Sequence, residues 1–164
     1  MNNSISLIGM AGAGKSSIGK ELAKRLNFKF VDSDSIIEKK YGESLQNILN
    51  ENGNKKFKEI EEGALLSVEF NQIVLATGGS AVFCDTAMEY IKENSTVIYL
   101  EVTYEDISAR ISNFSERGLI KRPDQTIQEA YKEREGLYQH FADHIVQNNG
   151  KIESCLNKIL TLIN

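Results

Sequence analysis

The chain has 164 residues, 41% hydrophobic and 26% charged, with a formal net charge of −4; that is enough for one domain with a real core and the wrong balance for a nucleic-acid-binding surface. No apolar run approaches the roughly 18 residues needed to cross a bilayer, and no charged region followed by a signal-type apolar stretch opens the chain, so a cytoplasmic protein without membrane contact is expected. Cys84 and Cys155 lack metal-type spacing and read as ordinary thiols, and the pair His140 and His144, without partner carboxylates, reads as surface.

The first apolar run, residues 4–8, reads as a buried strand. It leads into Gly9-Met10-Ala11-Gly12-Ala13-Gly14-Lys15-Ser16, which meets the phosphate-loop pattern G-x-x-x-x-G-K-[ST] at every fixed position. A helix follows, with Ile18, Leu22, Ala23 and Leu26 at helical spacing. Glycines let the backbone curl so that successive N–H groups point at phosphate oxygens, and the helix N-terminus adds partial positive charge. Lys15 is expected on the β- and γ-phosphates and the Ser16 hydroxyl on Mg²⁺, so the stretch marks a site for a nucleoside triphosphate.

Further runs at 29–32, 73–76, 96–101 and 143–146 alternate with helical patterns. Five strands with helices between them predict an α/β fold, a three-layer α/β/α arrangement around a five-stranded parallel sheet. Ligands in such sheets lie beyond the strand carboxyl ends. After the second run come Asp32 and Asp34, two apart and facing the same way if the strand continues. Helical material covers most of 33–69. After the third run, Thr77-Gly78-Gly79-Ser80 suggests close backbone approach to a ligand. A helix from Thr103 to Ser112 gives way to a stretch of about 112–124 with three cations, Arg117, Lys121 and Arg122, a glycine, and the only proline, Pro123. It reads as a loop that closes over a substrate. Gln125 to Phe141 is helical with Arg134 near its middle, and Ile152 to Ile163 is a packing helix with Ile152, Leu156, Ile159, Leu160 and Ile163 on one face.

Taken in order, GMAGAGKS, the VDSD pair, F-K-x-x-E at Phe57–Glu61, TGGS, E-R-G-L at Glu116–Leu119, and Arg134 followed by Leu137-Tyr138 make the chain resemble the shikimate kinase family from residue 4 to about 160. The resemblance implies a nucleoside monophosphate kinase-like fold that moves the γ-phosphate of ATP to the 3-hydroxyl of shikimate, with Mg²⁺ as cofactor. It implies that Gly12, Ala13, Gly14, Lys15, Ser16 and Ser17 bind ATP, that Arg110 stacks on adenine, and that Arg117 is the lid cation on the transferring phosphate. Ser16 and Asp32 would hold the metal. Asp34, Lys58, Gly78, Gly79 and Arg134 would bind the acceptor, with Asp34 taking the proton of the attacking hydroxyl. The chain is expected to act as a monomer and a single kinase domain over 1–164, with an acceptor-binding insertion at about 33–69 and a lid at about 112–124. The roles also follow from phosphoryl-transfer chemistry, which asks for charge neutralisation, in-line positioning and exclusion of water.

Three departures from the family pattern bear on the substrate, and a fourth lies further on. Lys58 stands where Arg is usual and keeps the charge without the planar fork. Ser80 replaces the third of three glycines, putting a side chain where close backbone approach is expected. Gly118 replaces a lid proline, which loosens the lid; Gly136 replaces another proline before Leu137-Tyr138. The phosphate loop and both aspartates are intact. The acceptor therefore stays open between shikimate and another small hydroxy acid or polyol. A non-catalytic nucleotide-binding module is disfavoured by the presence of Asp34 and Arg117.

Overall fold

The structure is a computed structural model that describes residues 3–110 and 122–164. The strands are β1 (Ile5–Ile8), β2 (Lys29–Asp32), β3 (Ile73–Ala76), β4 (Thr96–Glu101) and β5 (His144–Gln147). They form one sheet in the order β2-β3-β1-β4-β5, and every neighbouring pair is parallel. The central strands β1 and β3 are buried at every residue, as expected of strands covered on both faces.

The described helices are α1 (Lys15–Leu26), α2 (Ser33–Tyr41), α3 (Leu45–Leu66), α4 (Asp85–Asn94), α5 (Tyr104–Arg110), α6 (Ile127–Phe141) and α7 (Ile152–Ile163), with a short 3₁₀ turn at Ala81–Phe83. Among the described residues no helix is long and apolar enough to cross a membrane. The main core spans both sheet faces, joining Leu7, Leu75 and Ile98 to Leu22, Ile91 and Leu156. A second cluster, Ile37, Leu45, Ile48, Leu49, Phe57 and Ile60, lies between α2 and α3. The α2–α3 segment therefore packs on itself as a small unit beside the sheet, and α3 bends at Gly53 (φ 77°, ψ 171°) to do so.

Two expectations change. The second strand stops at Asp32, whose carboxylate accepts from the Asp34 and Ser35 N–H groups and so caps α2. Asp34 is thus in the first turn of a helix, and the alternation of an extended strand does not apply to the pair. Ile152 is 46% exposed, because α7 turns Cys155, Leu156 and Ile159 inward at its first turns.

Candidate active site

Each strand delivers one part of the site at its carboxyl end. β1 runs into the phosphate loop, β2 ends on Asp32, β3 leads to Thr77-Gly78-Gly79, α5 after β4 ends on Arg110, and β5 leads to Asn148. β1 is central and the chain turns from one side of the sheet to the other around it, so the loop occupies the switch point where ligands bind.

A cavity of about 460 Å³ lies there, lined among others by Gly12, Lys15, Ser16, Asp34, Gly79 and Arg110. A larger groove of about 920 Å³ between β5 and α7 contains none of the predicted site residues. In the loop, Gly12 (φ 83°) and Gly14 (φ 96°) hold left-handed backbone that L side chains resist. A side chain on Gly14 would also meet Asn148, its Cβ falling 2.6 Å from Nδ2. The Lys15 ammonium donates to the carbonyls of Gly9 (2.6 Å) and Met10 (2.9 Å), which anchors its stem along the loop. The Ser16 hydroxyl donates to Asp32 Oδ2 at 2.8 Å. These two groups offer hard oxygen donors side by side at the helix start, a set that suits Mg²⁺.

The outer rim of the loop is held from the far edge of the sheet. Asn148 Nδ2 donates to the Ala13 carbonyl at 2.8 Å. Arg110 donates to the carbonyls of Asn148 (2.7 Å) and Gly12 (3.4 Å). Asn148 is a loop-supporting residue that sequence reasoning passed over; the only signal was its place in the polar stretch after the last predicted strand, and its burial emerges only in the fold.

The acceptor side is built around Gly78 and Gly79. A Cβ on Gly78 would fall 2.6 Å from both Asp34 Oδ1 and Glu61 Oε2, so two carboxylates converge on the space a side chain would fill. A Cβ on Gly79 would lie 3.1 Å from the Ala11 nitrogen and 3.5 Å from Arg134 Nη1, which places that guanidinium beside the phosphate loop. The Gly78 N–H donates to Ser33 Oγ at 3.1 Å, and the Tyr138 hydroxyl donates to the Gly79 carbonyl. Arg134 is 1% exposed and lies over the Phe83 ring, 5.2 Å from its centroid. Its helix α6 starts in a reciprocal cap between Thr126 and Glu129.

Glu61, in the F-K-x-x-E stretch, carried no predicted role. It is 1% exposed, and its Oε1 accepts from Ser80 Oγ at 2.7 Å. Burial pushes its carboxyl up to about 7; the Ser80 hydrogen bond opposes this, the Asp34 charge adds to it, and Arg134 and Lys15 counter it. Lys58 sits apart. It is exposed and borders an adjoining cavity of about 350 Å³ with Phe83 and Arg122. Arg117 and Gly118, with most of the predicted lid, lie outside the described residues.

The shikimate kinase family model matches residues 11–164. A shikimate kinase of Francisella tularensis subsp. novicida is 38% identical over 97% of this chain and 93% of its own length. Among solved structures, shikimate kinase of Acinetobacter baumannii in complex with shikimate superposes with a TM-score of 0.87 at 33% identity, covering 98% of this chain and 92% of that one. Shikimate kinase of Aquifex aeolicus gives 0.85 at 29% identity, covering 98% of this chain and 95% of that one.

Proposed function

The chain belongs to the shikimate kinase family, and we infer that it transfers the γ-phosphoryl group of ATP to the 3-hydroxyl of shikimate, giving ADP and shikimate 3-phosphate. One observation carries the reading: the phosphate loop and Asp34 line the same cavity, so the phosphate cradle and a proton acceptor meet in one place. The shikimate-bound relative from Acinetobacter baumannii supports the choice of acceptor.

Residue roles follow from position. Backbone N–H groups of Gly12 to Ser17 and the Lys15 ammonium bind the phosphates. Ser16 and Asp32 are the residues to hold Mg²⁺, which when bound neutralises phosphate charge. Arg110, on the rim beside Gly12, is the residue for the adenine ring. Arg134 takes the acceptor carboxylate; buried against Phe83, its fork is already oriented, which lowers the ordering cost of binding. Gly79 keeps the wall between Arg134 and the loop thin. Asp34 accepts the proton of the 3-hydroxyl as that oxygen attacks the γ-phosphorus and the ADP oxygen leaves in line. Lys58 supplies positive charge from the adjoining cavity, and Arg117 is assigned by resemblance as the cation that joins the transferring phosphate.

The chain is assigned to the cytoplasm as a monomer and one kinase domain. The separate α2–α3 core supports residues 33–69 as the acceptor-binding insertion, and 112–124 is the lid by resemblance. A coupled ADP-release assay over a panel of small hydroxy acids tests the activity. Release should depend on shikimate; release at background with shikimate and above it with another acid would move the assignment to that acid.

A further inference from the structure

Ser80 stands where nothing in the phosphoryl-transfer reading asks for a side chain. Its backbone has φ −99° and ψ 2°, which any residue adopts, so the position contributes through its hydroxyl. Ser80 is 5% exposed, and its hydroxyl donates to Glu61 Oε1 at 2.7 Å in a buried bond. The other oxygen of Glu61 lies at the bare face of Gly78, 2.6 Å from the point a Cβ would occupy, and Asp34 Oδ1 lies at the same 2.6 Å from that point. We propose that Ser80 is a positioning residue for the acceptor: it holds the Glu61 carboxylate, and Glu61 fixes the setting of Asp34 and Arg134 against the bound hydroxy acid. The proposal rests on the assignment of Asp34 and Arg134 to the acceptor made above.

A buried carboxylate with one oxygen tied has a single orientation, so its field on Asp34 and Arg134 is fixed. The tie also favours the charged form of Glu61. The charged and titratable groups facing Glu61 are Asp34 from α2, Lys15 from α1, Arg134 and Tyr138 from α6, and the Cys84 thiol after the 3₁₀ turn; Lys58 and Glu62 on its own helix act on that same thiol. Without the hydroxyl, Glu61 takes up a proton at higher pH and is free to rotate. The Glu61 charge facing Arg134 is then lost and the acceptor pocket loosens, while the hydrogen bonds that hold Lys15 to the Gly9 and Met10 carbonyls stay in place.

Steady-state kinetics of Ser80→Ala, Ser80→Gly and Ser80→Thr test this. The two variants without a hydroxyl should raise KM for shikimate about three- to tenfold, with kcat and KM for ATP within about twofold of the parent chain. The acid limb of KM against pH should move to higher pH in both. Ser80→Thr, which keeps the donor, should retain the parent KM. All are assayed well below their thermal midpoints. An unchanged KM and pH profile in Ser80→Ala would overturn the proposal. So would a KM rise in Ser80→Thr equal to that in Ser80→Ala, since the hydroxyl would then not be the agent. Failure of the underlying reading looks different: the parent chain itself would release no ADP with shikimate.

Discussion

At the scale of single residues, the account separates groups that act on the nucleotide from groups that act on the acceptor. Asp34 lines the cavity from the start of α2, outside the phosphate-loop sequence. Asp34→Asn should therefore cut kcat by about a hundredfold or more while leaving ATP affinity, measured by calorimetry, close to that of the parent; near-normal turnover would remove Asp34 as the proton acceptor. Lys58 presents one ammonium where a fork would make two parallel hydrogen bonds to a carboxylate. Lys58→Arg should lower KM for shikimate by about fivefold at unchanged kcat. A rise, or no change, would show that this side chain does not reach the acceptor from its cavity beside Phe83.

Among the elements, the strands were the most legible. The runs at 29–32, 73–76 and 96–101 coincide with β2, β3 and β4; β1 starts one residue later than expected, and β5 is shifted by one residue at both ends. Buried parallel strands read as unbroken apolar runs, so their limits are marked by polar neighbours. The phosphate loop was legible because its chemistry is local. What the sequence hid were contacts between distant segments. Asp32 and Asp34 straddle a strand-to-helix junction set by a capping bond. Glu61 meets Ser80 only when α3 packs beside the end of β3. Asn148 reaches Ala13 across 135 positions of chain. This last contact holds the rim of the phosphate loop. Asn148→Ala should leave the Ala13 carbonyl without this buried donor and raise KM for ATP about threefold to tenfold, with KM for shikimate unchanged. Equal effects on both substrates would mean that Asn148 supports the whole fold rather than the nucleotide side.

For the whole molecule, the buried Glu61 couples the site to stability. Its carboxyl ionises near 4.5 in the unfolded chain and at about 7 in the folded one. Because the folded state holds the proton over that interval, the associated stability is complete below about 4.5 and is lost as pH rises through about 7. The loss approaches the order of 3 kcal/mol. Glu61→Gln removes this titration, so denaturant unfolding of the parent should lose stability relative to the variant between pH 5 and pH 8; parallel curves would contradict the buried-carboxylate assignment. The central claim is that the two halves of the cavity align a phosphate with one hydroxyl. Phosphorus NMR of a reaction with ATP and shikimate tests that most directly. The expected result is a phosphomonoester signal coupled to the C3 proton, growing as ATP falls and growing about a hundredfold more slowly with Asp34→Asn. Conversion of ATP to inorganic phosphate alone, or a phosphate on a different hydroxyl, would contradict it.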